Sequence, residues 1–281
     1  MKRHWFIVVC LVTLVASLPV TADWQASSLP HHRPALGDAS ARPAGRWTAP
    51  TTLKLSTLVG EQLDYVVSWA DYVVAARITM QVKPAGASLP PEGLQLQMQA
   101  QTVGVVKSLV MALEHELVSW IDGSSALPTR HEKHSREGTR RVDLTTIFDH
   151  ERRVAQVGEK KIPIEAETRD IVSFWYFLRT LDLSSGKHYR LHVLSDDQRV
   201  TILVSPEQKS VIDVGGAPVE AVSVALRVEE TQGRRRRRIN DDYRVRVWLS
   251  HDEKRTPVLI TAKPPFGDIR VRLVKPEKPE S

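Results

Sequence analysis

Cysteine is almost absent from this 281-residue chain. The single one, Cys10, sits inside an apolar run near the N-terminus. A chain that has lost this run can form no disulfide, thiolate metal site or cysteine nucleophile. Beyond Phe6–Val20 no segment approaches the roughly 20 apolar residues that a membrane helix needs. A phosphate-cradling glycine loop and a dinucleotide fingerprint are also missing, which excludes the usual nucleotide sites. An excess of one charge is missing too: 39 Lys+Arg stand against 33 Asp+Glu, a net charge of +6. Without Lys2, Arg3 and the five consecutive arginines Arg234, Arg235, Arg236, Arg237 and Arg238, the balance would be −1. The basicity is therefore local. A nucleic-acid binder spreads Lys and Arg over a face with aromatics among them, so no nucleic-acid partner is expected.

What is present begins with the N-terminus. Lys2, Arg3 and His4 precede the apolar run, and Val20-Thr21-Ala22 places small residues where a signal peptidase cuts. This is the three-part pattern of a secretory signal. A cleavable signal peptide is expected over 1–22, with periplasmic localisation; a retained anchor is the other reading. Val9 before Cys10 argues against a lipoprotein signal. Residues 23–57 are rich in Pro, Ala, Ser and Thr without periodicity and read as a flexible linker. One β-rich domain is expected over 58–275 and a disordered tail over 276–281.

The domain's signal is alternation. LQLQMQAQT (94–102) places Leu94, Leu96, Met98 and Ala100 on one face and glutamines on the other, the pattern of a strand with one wet face. Similar runs at 61–70, 72–82, 243–250 and 268–274, with shorter ones between, predict an all-β, mainly antiparallel fold. The expected architecture is a strongly curved sheet, half-barrel or barrel-like, with one or two short helices packed against it. One helix is expected over 170–183, with Asp170 as its N-cap and Ile171, Phe174, Trp175, Leu178 and Leu181 on one face. A weaker helical turn lies over 105–113. The long helix either plugs the core or lids an apolar cavity. In the second case Phe174, Trp175 and Leu178, with Trp69 and Trp120, would line a ligand site; plain core packing is the competing role for these tryptophans.

No catalytic constellation emerges. Ser250-His251-Asp252 has the residue types of a triad, but consecutive strand residues point to opposite faces; Asp252 is expected to pair with Arg255 across a turn. His131 and His134 should also face opposite ways. Carboxylates such as Glu114, Glu116, Asp122 and Glu132 are common to any β protein. No metal, cofactor or enzymatic activity is expected. The arginines should sit at a hairpin tip between two long strands, either solvated or touching anionic lipid or lipopolysaccharide.

GEQLDYVVSW, DIVSFWYFLRTLDLSSG and VWLSHDEKRTPVLI, in this order and spacing, resemble the bacterial domain of unknown function 3108 family, over about 58–275. The resemblance implies an exported envelope protein rich in antiparallel strand and brings no activity. Its signature positions fall on Gly60, Glu61, Tyr65, Asp170, Ser173, Tyr176, Leu178, Arg179, Gly186, Trp248, Leu249, Ser250, Asp252, Arg255, Pro257 and Val258. The arginine run lies outside that pattern. The plan is also similar to half-barrels that carry or sense lipoproteins in the periplasm, a fold-level likeness only. Three functions remain open: a module binding a lipid, lipoprotein or lipopolysaccharide with peripheral membrane contact at most; a scaffold with an envelope protein partner and no small ligand; and a cell-wall polysaccharide hydrolase.

Overall fold

The structure, a computed structural model, describes residues 53–70, 72–86, 93–110, 112–232, 235–238, 245–263 and 267–274, with only the backbone at 109–110, 230–232 and 235–238. The expected signal peptide, most of the expected linker, Arg234 and the C-terminal tail lie outside these residues.

Among the described residues eight strands come first: β1 (Gln62–Trp69), β2 (Val73–Pro84), β3 (Leu94–Thr102), β4 (Leu113–Ile121), β5 (Pro128–Glu137), β6 (Arg140–Asp149), β7 (Val154–Val157) and β8 (Lys160–Pro163). One α-helix among the described residues, α1 (Ile171–Leu178), follows. Seven further strands are described after it: β9 (Tyr189–Ser195), β10 (Gln198–Val214), β11 (Ala217–Gln232), β12 (Arg235–Arg238), β13 (Val245–Ser250), β14 (Pro257–Ala262) and β15 (Ile269–Val274). All belong to one antiparallel sheet, in the order β8-β7-β6-β5-β4-β3-β2-β1-β15-β14-β13-β11-β10-β9, with β12 on β11. The chain meanders outward from β1 to β8, crosses over with α1, and meanders back until β15 pairs with β1.

The two edges, β8 and β9, approach without pairing. Residues 164–170 fill the gap: Arg169 N–H bonds His192 O and Leu194 N–H bonds Arg169 O, at 2.9 and 2.8 Å. Lys160 reaches Asp197 at 3.0 Å and Arg199 reaches Pro163 O at 3.2 Å across the same seam. The sheet is thus barrel-like and open, as alternation and the lone helix foretold.

Several boundaries differ from the sequence reading. Leu53, Leu55 and Leu58 are buried in the main core, so the fold already includes the end of the expected linker. Stretches 199–204 and 209–214 are one strand, β10, irregular between Pro206 and Lys209; a proline has no N–H for the ladder, and a bulge absorbs it. The helix stops at Leu178, not 183, because the Arg255 guanidinium takes the carbonyls of Arg179 and Leu181. Four of the five arginines do not sit at a loop tip. Arg235–Arg238 form a returning strand, in register with Gln232–Glu229 of β11.

Candidate functional site

Helix α1 is where the expected lid would be. Its apolar stripe faces the sheet, but its other side is covered as well: Phe174, Tyr176 and Leu178 are 0% exposed and Trp175 is 4% exposed. Val172 and Ser173 are buried too. Only Phe177 reaches the surface in part, under the guanidinium of Arg169, 3.3 Å from its ring centroid. A helix buried on nearly every side packs as a core helix rather than as a surface lid. Trp69 packs against the same core. Trp120 does not join them. It shares the outer parity of Glu114 and Glu116 on β4, with Arg130 5.3 Å from its ring centroid.

Both ends of α1 are held by buried polar links. At the N-terminus Asp170 Oδ1 accepts the N–H groups of Val172 and Ser173 at 2.8 and 3.0 Å. Its Oδ2 accepts the hydroxyls of Ser173 and, from β4, Ser119, at 2.9 and 2.6 Å. The Ser173 hydroxyl also accepts the Asp170 N–H, closing a capping box. At the C-terminus Arg179, 1% exposed, makes a two-pronged pair with Glu61 beside β1, at 2.6 and 2.9 Å. It also donates to Lys254 O in the β13–β14 turn. Tyr65 and Tyr176 lie against this pair, and burial pushes both phenols well above their ordinary range.

The β13–β14 turn corrects one expectation. Asp252 Oδ1 accepts the Ser250 hydroxyl and the N–H groups of Lys254 and Arg255, while the Arg255 guanidinium leaves for the helix end. The Asp252–Arg255 contact is to backbone, because Arg255 takes a left-handed φ of 46° that turns its side chain away. His251 points instead to Lys209, 2.7 Å away, so Ser250-His251-Asp252 forms no relay.

A second Ser-His-Asp grouping, missed in the sequence, lies inside. Ser119 and His131 are cross-strand partners on β4 and β5, and His131 Nδ1 stands 3.5 Å from Asp170 Oδ1. The order is wrong for nucleophile activation: Ser119 donates to the carboxylate, not to the imidazole. Nearby, on the same inner face, Lys133 bonds Asp196 at 2.9–3.0 Å and His115 lies 3.8 Å from Glu137.

Burial dominates both inner histidines. It lowers His115 from 6.5 to about 4, helped by Lys133. It lowers His131 as well, opposed by Asp170, Asp196 and Glu132. The unfolded chain therefore takes up these protons first, and stability falls as pH drops from about 6.5 toward 4. At roughly 1.4 kcal/mol per pH unit, His115 alone costs at most about 3 kcal/mol. Urea unfolding should show the loss between pH 7 and 4.5, and His115→Gln should flatten it; an unchanged slope would remove His115 as the cause.

The outer face of β2–β6 carries a groove of about 450 Å³. Two cross-strand rows build it. One runs Thr79, Gln99, Glu116, His134, Asp143. Glu116 accepts from Gln97 and Gln99 at 2.5 and 3.3 Å, and Asp143 accepts from His134 and Arg141 at 2.7 and 2.9 Å. Asp143 raises the pKa of His134, and His134 with Arg141 lowers that of Asp143. The other row runs Arg77, Gln101, Glu114, Arg136, Arg141.

Comparison with known proteins now bears on this arrangement. A model of the family described as Protein of unknown function, DUF3108, matches residues 64–274. The chain belongs to the DUF3108 family. No curated protein matches it. Among solved structures, a β-barrel-like protein of domain of unknown function DUF1849 from Brucella abortus is similar at a TM-score of 0.50 and 10% identity, over 76% of this chain and 95% of that one. A DUF1089 family protein from Pseudomonas aeruginosa, at 0.34 and 11%, covers 71% and 96%. A protein with a YmcC-like fold from Bacteroides fragilis, at 0.34 and 9%, covers 83% and 100%. At these identities the first likeness speaks to fold alone. In this DUF3108 chain, Glu61, Asp170, Ser173, Arg179 and Arg255 tie α1 to the sheet; none lines the outer groove.

Proposed function

We propose that this DUF3108 protein is a non-catalytic binding protein of the bacterial envelope that meets its partner on the outside of the sheet. One observation carries the reading: Val172, Phe174, Tyr176 and Leu178 of α1, and Leu96, Ile202, Val224 and Leu249 of the same core, have no accessible surface. A void that admits even a water leaves its lining accessible, and an acyl chain needs a cavity of a few hundred Å³. The packing therefore favours the scaffold or interaction reading over an internal lipid or lipoprotein site. The signal-like N-terminus supports the envelope, and the misordered Ser119, His131 and Asp170 support a role without catalysis.

The test is an apolar dye that brightens inside hydrophobic cavities. No saturable signal is expected; stoichiometric binding suppressed by Trp175→Ala would return the function to the interior.

Arg234 to Arg238 are proposed as a secondary contact with anionic headgroups. Guanidinium groups pair well with phosphate, although Glu229 and Glu230 stand opposite Arg238 and Arg237 in register. Replacing the five arginines by serine should abolish sedimentation with phosphatidylglycerol-rich vesicles at low salt. Unchanged sedimentation would remove this contact.

A further inference from the structure

The outer groove has the chemistry of an acidic saccharide site, and we infer that it binds one. The inference rests on the reading that the outer face is the working surface, and it names the ligand class. Arg136 and Arg141 stand directly opposite each other across β5 and β6. Like charges in that position destabilise a sheet, and an anion between them would relieve the cost. Arg141 has Asp143 as a partner. Neither Arg136 nor Arg77 has a hydrogen-bond or ion-pair partner among the described residues, and both are exposed on the groove. Three strand spacings separate them, roughly 14 Å, so they can hold acid groups well apart along one ligand.

Between them the surface suits hydroxyl groups. Glu116 is oriented by two glutamine amides, and Asp143 by His134 and Arg141. Oriented carboxylates keep further acceptor positions; Gln101 offers both a donor and an acceptor, and Arg77 and Arg136 add donors. Polyols are recognised by such mixed, pre-oriented sets.

Other ligands fit less well. Nucleic acid would meet Glu114, Glu116 and Asp143 with its phosphates. A peptide takes its affinity from apolar anchors or from an open strand edge. Among the described residues lining the groove only Ala100 is apolar, and its side chain belongs to the core; β2 to β6 are paired on both sides.

The experiment is calorimetric titration of the full chain with a panel of acidic oligosaccharides, uronate tetramers and muramate-bearing glycan fragments, beside neutral maltotetraose. At least one acidic ligand should bind saturably, more weakly as salt rises, while the neutral one does not. Arg77→Ser with Arg136→Ser should weaken binding tenfold or more with unchanged thermal unfolding; neither residue has a partner to lose. No binding across the panel, equal binding of the neutral sugar, or an indifferent double variant would overturn the inference. A photo-crosslinker at Gln101 that captured a protein would also overturn it, in favour of a polypeptide partner, yet would leave the outer-face reading standing. A lipid inside the chain would remove that reading itself.

Discussion

Breaking the Glu61–Arg179 pair from either side is expected to cost about 3–5 kcal/mol, the usual penalty for stranding one member of a buried ion pair. Glu61→Leu leaves the guanidinium, 1% exposed, without its carboxylate. Arg179→Met leaves Glu61 facing two buried phenols and frees the Lys254 carbonyl that Arg179 now satisfies. The double variant should recover much of the loss, because an apolar pair leaves no stranded charge. Urea unfolding of the two single variants and the double gives the coupling directly. Single variants that each cost under about 1 kcal/mol would mean that this clamp does not hold the helix.

Truncating the helix core is expected to do as much. Trp175→Ala and Phe174→Ala should each cost about 3–5 kcal/mol, since both rings are buried in the core. The two rings pack edge to face, centroids 5.5 Å apart, so their losses should couple. With a total stability of about 5–15 kcal/mol typical of a domain, the double variant is not expected to stay folded. Thermal and urea unfolding of each single variant checks this. A lid would behave differently, losing a ligand while keeping the stability of the sheet.

The strands were largely legible because alternation records a buried and a wet face. β3 carries that record residue by residue, Leu94 to Ala100 inward and the glutamines outward. β8 was not legible: Lys160–Pro163 is too short and too polar to alternate. The helix was legible as a helix, and its burial was not. An apolar stripe predicts one covered face, whereas α1 is also covered where Ser173, Tyr176 and Arg179 lie. The decisive partners stand far away in sequence: Arg179 meets Glu61 across 118 positions, and Ser119 joins Asp170 across 51. Trp120 is a different case. Its parity with Glu114 and Glu116 is readable in the sequence; residue type alone suggests the lid.

The outer groove was not legible because it depends on register. Arg77, Gln101, Glu114, Arg136 and Arg141 come from five strands, and only their pairing sets them in a row. The same holds inside, where Ser119, His131 and Asp170 meet through cross-strand pairing and the return of the chain with α1.

The central claim is a filled interior closed by a clamped helix, which leaves the outside of the sheet for binding. Native mass spectrometry of the chain purified from cells without detergent tests it most directly. The account predicts the mass of the bare polypeptide. An added mass that extracts into organic solvent and disappears in Trp175→Ala would contradict it, and would place a lipid where the structure packs side chains.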